Sequence, residues 1–260
     1  MIIDPGWPDL LMTVILFAIV VALSVREGLG MERTMLIGSL RTVTQLLLMG
    51  FVIKALFQVD HWYVIVGVLL FMTIYAAHAG LSRMKKPVAG LYLPMWTGVA
   101  VGTLFTTAVV TGAALKIEPW YRPDMLIPLG GMILGNAMTG GALAADRLYT
   151  ELKSRQEEIE TLLQLGWDYK RAAHESKKEA VRAAMIPTIN SMMTVGIVHI
   201  PGVMAGQMLG GVSPFVAAKY QIIIMLMIAS AVTITSVVFT TLALKRYFTP
   251  HQQLNRKIFI

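Results

Sequence analysis

Seven long apolar runs, divided by short polar stretches, organise this chain of 260 residues. They fall near residues 8–25, 33–57, 61–80, 90–115, 125–146, 185–209 and 215–244. Each approaches the ~20 residues that a helix needs to cross a bilayer, so the pattern predicts an all-α membrane protein of about seven transmembrane helices. Trp7, Trp62, Trp96 and Trp120 fall near the predicted ends, where an aromatic belt would sit. The longest polar stretch, residues 147–184, has its own helical pattern: Leu148, Leu152, Ile159, Leu162 and Leu163 recur at helical spacing. Glu157, Glu158 and Glu160 punctuate its polar face. After "LLQLGW", Gly166 permits a bend and Asp168 can cap a second helix through "DYKRAAHESKKEAVRAAMIP". This stretch reads as amphipathic helices lying on a partner or on the membrane surface. It reads equally as an extension of two membrane helices packed on itself.

Composition agrees with the pattern. Hydrophobic residues make up 56% of the chain and charged residues 14%, against roughly 25% charged in a globular protein. There is no cysteine, which excludes disulfides, thiolate metal sites and cysteine nucleophiles. The formal charge is +7, but the basic residues follow the loops, so topology accounts for them and no nucleic-acid partner is expected. Seventeen of the 22 Lys and Arg lie in one set of loops: Arg26, Arg33, Arg83, Lys85 and Lys86, the eight from Arg147 to Arg182, and the four from Lys245 onward. Lys54, Lys116, Arg122 and Lys219 lie on the other side, and Arg41 falls inside a run. The asymmetry predicts an N-terminus outside and a C-terminus in the cytoplasm. The opening "MIIDPGWPDL" lacks a basic n-region, so no cleavable signal peptide is expected.

Several predicted spans carry groups that hydrocarbon tolerates poorly. Arg41 and Gln45 share one helix face. An arginine there costs at least ~2.5 kcal/mol on insertion scales, so it either snorkels toward an interface or lines an internal cavity or conformational lock. In "PLGGMILGNAMTGG", Gly131 and Gly135 have the spacing that lets helices approach closely, and Asn136 and Thr139 share a side. Asn136 serves as glue between helices or lines a wet path. The run "HIPGVMAGQMLGGVSP" is the most irregular. Gly202, Gly206 and Gly210 form a small-residue stripe, with Met204, Met208 and Gln207 on a neighbouring face. Asn190, Met193 and His199 precede them, and Pro187 and Pro201 each remove a backbone hydrogen bond. Broken helices beside small residues are what transporters use to open and close a path. Thioethers and imidazole are metal ligands, so Met204, Met208 and His199 are weak metal candidates. Plain packing is the competing reading for all three.

Catalytic signatures are missing. The sequence holds no GxxxxGK[ST] loop, HExxH helix or GxSxG elbow, so neither an enzyme nor a chain that binds its own ATP is expected. A gradient-driven secondary transporter of a metal or small solute would need titrating groups deep in spans; only His78, His199 and the marginal Asp146 qualify. A membrane scaffold that recruits a cytosolic protein is the third reading, and the polar groups within spans argue against it.

The run from Leu162 to Met225, with "PTINSMM" and "IPGVMAGQMLGG", and the runs "RTVTQLLLMG" and "GMILGNAMTG" resemble the FetB-type permeases, iron exporters of the ABC class related to plant aluminium-tolerance permeases. The resemblance covers nearly the whole chain. It implies a single permease domain over residues 1–260 in a bacterial inner membrane, working as a homodimer that moves a metal ion. The same resemblance implies two copies of a separate ATP-binding cassette subunit, which hold ATP and Mg, while this chain binds no cofactor. Residues 147–184 then form a coupling segment in which Leu165, Gly166, Asp168, Arg171, Ala172, Glu179, Ala180 and Arg182 meet the ATPase. In that picture Ala172, Ala173, Ala180 and Ala184 let the segment seat closely in the ATPase. Pro187 passes its tilt to the following span, and the glycine stripe slides against another helix. One departure stands out: Val203 and Ala205 occupy positions where the family usually has methionine and threonine.

Overall fold

A computed structural model describes residues 6–58, 61–84, 86 and 88–259. The first five residues of the opening run, Lys85 of the charge count and the side chain of Lys257 lie outside the described residues. The chain divides into two compact units, Met1–Asp60 and His61–Ile260.

The first unit holds two helices, α1 (Trp7–Arg26) and α2 (Glu32–Leu56). A tight connection joins them, and the buried Ser24 hydroxyl donates to Glu32 Oε1 at 3.2 Å. α2 buries none of its residues.

The second unit holds α3 (Trp62–Leu81), α4 (Tyr92–Val109), which runs into a π-turn over Val110–Ala114, α5 (Pro123–Ser154), α6 (Gln156–Gln164), α7 (Tyr169–Ala172), α8 (His174–Thr194), α9 (Gly202–Leu209) and α10 (Pro214–Tyr247). No strand occurs among the described residues. Among the described residues, six helices are long and apolar enough to cross a membrane: α1, α2, α3, α4 with its π-turn, α5 and α10. Their ends lie within three residues of the predicted runs, except that α5 continues to Ser154. At 1.5 Å per residue α5 is about 48 Å long and α10 about 51 Å. Both exceed the ~30 Å of hydrocarbon.

The tightest seam lies between α4 and α10, and it depends on two glycines one turn apart. A Cβ on Gly98 would stand 2.8 Å from the Thr235 carbonyl oxygen, and one on Gly102 would stand 2.8 Å from that of Ala231. The Thr235 hydroxyl uses this closeness to donate to the Gly98 carbonyl at 3.1 Å. Gly140 and Gly141 of α5 play the same part: Cβ atoms there would meet Val232 Cγ1 at 2.6 Å and Met95 Sδ at 2.7 Å. Gly131 and Gly135, the expected contact pair, do not. Gly131 meets only Met72 Cε at 3.6 Å, and Gly135 faces open space. Trp96 also departs from the expected belt, turning inward so that its indole N–H donates to Thr73 Oγ1 at 3.2 Å.

α5 and α10 finish at the same end of the unit. Lys153 Nζ donates to the Phe259 carbonyl at 3.1 Å, and the Phe259 ring lies 5.5 Å from Tyr149 and 6.0 Å from Tyr247. Since α10 must start at the opposite end, residues 155–213 have to return along the bundle. The sixth predicted span, 185–209, is therefore corrected: it is not one helix. α8 makes most of the return, and its first three turns hold Glu175, Lys177, Lys178, Glu179 and Arg182. Helix then gives way to a turn in which Gly196 N–H donates to the His199 carbonyl at 2.9 Å. Pro201, which has no N–H to continue a ladder, precedes the eight residues of α9.

Candidate functional site

Two groups of candidate residues stand out: an uncovered polar face on α5 and α8, and the charged end where α5 and α10 finish. α5 buries one side, including Ala137, Gly140, Ala144 and Leu148. The opposite side leaves Gly135, Asn136, Thr139 and Leu143 exposed. Thr139 spends its hydroxyl on the Gly135 carbonyl at 2.9 Å, and Asn136 Nδ2 donates to the Met132 carbonyl at 2.8 Å. The Asn136 amide oxygen has no partner among the described residues. On α8, Pro187, Asn190 and Met193 are likewise exposed, Met193 by 75%. The Asn190 side chain forms no hydrogen bond among the described residues; only its backbone carbonyl accepts, from Thr194 Oγ1 at 2.9 Å.

Asn136 and Asn190 stand at nearly one level. A Cβ on Gly140 would lie 3.6 Å from the Ala184 carbonyl oxygen, and α8 runs antiparallel to α5. Counting from that contact, Asn136 and Asn190 differ by only about 3 Å along the axes. An amide left in hydrocarbon with unmet hydrogen-bonding capacity costs roughly 2–7 kcal/mol. The face therefore has to meet protein or water rather than acyl chains.

The α8–α9 region behaves differently from its expected role. Gly202 and Gly206 have no atom within 4 Å of a built Cβ, and Gly210 meets only the carbonyls of its own turn. The stripe is bare among the described residues, because α9 lies on α10 by another side, with Val203 against the Leu129, Ile133 and Ile224 cluster. Met204 and Met208 are half-buried, and Gln207 Oε1 is buried with no hydrogen-bond partner among the described residues. His199 is exposed, with Nδ1 at 3.5 Å from Thr194 Oγ1. No three His, Asp or Glu side chains gather among the described residues. Arg41 and Gln45 lie in the first unit on exposed positions of α2.

At the charged end, the local signals in the sequence act as expected. Gly166 adopts φ +87°, and its N–H and that of Trp167 return to the carbonyls of Leu163 and Leu162 at 3.0 and 3.1 Å, closing α6. Asp168 Oδ1 accepts from Arg171 N–H at 2.7 Å and caps α7. The Arg171 guanidinium sits 4.2 Å from the Trp167 ring centroid. Leu165 projects from this turn, 72% exposed. The alanines are corrected, however: Ala172, Ala173, Ala180 and Ala184 are all buried in this chain's own core beside Leu148 and Tyr247. Ala180 and Ala184 seat α8, Ala172 and Ala173 the α7–α8 junction, and none of the four is left as a face for another protein. Glu179 and Arg182 are spent on each other at 2.5 Å.

The sequence reading missed the C-terminal segment. Phe248 packs on Tyr169 at 5.2 Å between ring centroids, Leu254 and Phe259 are buried, and Arg256 forms a two-pronged ion pair with Glu160, one prong at 2.8 Å. The signal was present, since Phe248, Leu254, Ile258 and Phe259 give the polar tail an apolar side. Between this hook and the α6–α7 turn opens a cleft of about 940 Å³, lined by Gly166, Trp167, His251, Gln253 and the Glu160–Arg256 pair.

The hydrogen bond from Arg256 holds the Glu160 carboxyl below its usual 4.5, and Arg155 and Lys178 lower Glu158 and Glu175 in the same way. Released Glu160 binds protons more readily than clamped Glu160, so the clamp's contribution is full above the usual value and fades as pH falls below it. Hydrogen exchange at residues 249–256, divided by the intrinsic amide rate at each pH, should then rise a few-fold on acidification past that value. In Glu160→Gln it should already be raised at neutral pH and stay flat over the same range. Exchange in the wild type that ignores acid would remove the pair from the hook's anchoring.

Known proteins share this arrangement of sequence. The model of an uncharacterised protein family, UPF0014, matches residues 7–248. A UPF0014 membrane protein of Synechocystis is 33% identical over 97% of this chain and 98% of its own length. A protein of Escherichia coli named "Probable iron export permease protein FetB" is 31% identical over 95% of this chain and 93% of its own. The Arabidopsis protein named ALUMINUM SENSITIVE 3 is 31% identical over 97% and 90%. No solved structure matches the chain.

Proposed function

The chain belongs to the UPF0014 family, and from that premise we propose that it is the membrane permease subunit of an ATP-driven metal exporter. It works as a homodimer and is energised by two copies of a separate ATP-binding cassette subunit that hold ATP and Mg. Iron is the favoured substrate, on the name of the Escherichia coli relative. The orientation follows the basic residues, with the N-terminus outside and the charged end in the cytoplasm of a bacterial inner-membrane protein.

One observation carries the reading: the uncovered amides of Asn136 and Asn190, level with each other on adjacent helices that reach from the charged end. A second copy set against this face would cover them and enclose a wet path. Thr139 continues it toward the charged end, and Met193, His199, Met204, Gln207 and Met208 continue it toward the far end. Pro187, inside α8, leaves one backbone carbonyl without its usual donor, giving the path a point where the helix bends easily.

Leucine at both Asn136 and Asn190 tests this directly. Neither side chain is packed within the chain, so folded yield should stay near the wild-type level while metal export drops by about tenfold or more. Cellular metal accumulation with and without the variant measures it. If the face met lipid, the leucines would be neutral or stabilising and export would persist, which would overturn the assignment.

A further inference from the structure

We propose that the groove between the start of α4 and the end of α10 is a binding site for one anionic phospholipid. This goes beyond the transport reading and does not depend on it. Leu93, Pro94 and Thr97 form one wall, Leu242 the other, and Lys245 and Arg246 stand at the rim, enclosing about 500 Å³. The walls are apolar in effect, because the Thr97 hydroxyl is spent on the Leu93 carbonyl at 2.8 Å. Leu93 is 57% exposed, so the groove opens sideways from the bundle, where acyl chains lie.

The rim is charged and uncompensated. Lys245 and Arg246 are exposed, and neither joins an ion pair among the described residues. Arg246 is also held in place: the position of a Cβ on Gly90, which has φ +82°, lies only 3.4 Å from its Nε, so the loop before α4 rests directly against the guanidinium. Depth along the membrane agrees. Lys219 and Lys245 on α10 are separated by about 39 Å, close to the ~40–45 Å between the two headgroup layers. Lys245 and Arg246 therefore lie at the phosphate level, with the groove running from them into the hydrocarbon.

Two other grooves provide the contrast. One of about 270 Å³ between Phe105, Thr106, Leu226 and Ser230, and one of about 440 Å³ between Phe17, Gly38 and Val43, have no ionisable lining residue. Those fit acyl chains of any lipid. Of these three grooves, the Leu93–Arg246 one alone adds two cations at the position of a phosphodiester, which fits the net negative headgroup of phosphatidylglycerol and is opposed by the trimethylammonium of phosphatidylcholine.

Titration of the purified chain with each lipid, read by native mass spectrometry, tests the site. The wild type should hold one phosphatidylglycerol at least tenfold more tightly than phosphatidylcholine. Lys245→Gln with Arg246→Gln should weaken phosphatidylglycerol on the order of 30-fold. Leu93→Trp keeps the net charge but fills the groove, and should lose the lipid as well. Equal binding of the two lipids by the wild type would overturn the proposal without any variant. So would undiminished phosphatidylglycerol binding in the double variant, or in Leu93→Trp, where charge alone would then be attracting it.

Discussion

Valine at position 102 should leave little folded protein. A Cβ there would press on the Ala231 carbonyl at 2.8 Å and on the Thr235 side chain. Valine adds two further methyls in a seam where the obstacles are backbone, so α4 and α10 must separate rather than rotate a side chain. Overpacking on this scale costs about 1–3 kcal/mol, and more where backbone blocks relief. Losing the Thr235–Gly98 hydrogen bond adds about 1 kcal/mol. We expect a large fall in monodisperse protein after detergent extraction, with a matching drop in unfolding temperature. Gly135→Val is the control, because a Cβ there meets nothing. It should express like the wild type unless a second copy covers it, and even then lose activity rather than fold. A Gly102→Val chain as stable as the wild type would contradict the α4–α10 seam.

Aspartate at position 165 should give the opposite signature: a folded chain that no longer responds to the ATPase proposed as its partner. Leu165 projects into solvent from a turn whose geometry is fixed by Gly166 and Asp168, and removing its apolar surface costs the isolated chain nothing. A large exposed aliphatic side chain on a rigid turn is what anchors a protein contact, and central anchors are worth at least ~2 kcal/mol, or more than tenfold in affinity. With a cognate ATPase, permease-dependent stimulation of hydrolysis should fall at least tenfold in Leu165→Asp, while unfolding temperature and lipid binding stay unchanged. Full stimulation would move the coupling contact away from the α6–α7 turn.

Local signals in the sequence were legible where one or two residues decide the backbone. Gly166 and Asp168 close one helix and open the next as their chemistry requires, and the apolar runs marked the ends of five of the six long helices. Residues 185–209 misled because an average over apolar residues ignores where the backbone must break: Val195, Ile197 and Val198 keep the run apolar across a turn that Gly196 and Pro201 impose. Spacing likewise identifies glycines that can touch a helix, but not the helix they touch. "GVAVG" at residues 98–102 carries the same signal as Gly131 and Gly135, and only the position of α10 separates them. The alanines of α8 failed for a related reason, since a small buried face is the same whether the cover is a partner or the chain itself. Asn136 and Asn190 were recognisable as polar groups out of place, while their common level on neighbouring helices needed the antiparallel packing of α5 and α8.

α8 is a passenger during biogenesis. Glu175, Lys177, Lys178, Glu179 and Arg182 make its first turns too polar to partition from the insertion machinery on their own. Its buried alanines find their contacts only against α5 and α10. The second of those contacts is synthesised after it. α8 and α9 thus settle once α10 is in place, and a chain truncated before Pro214 would leave them stranded at the surface.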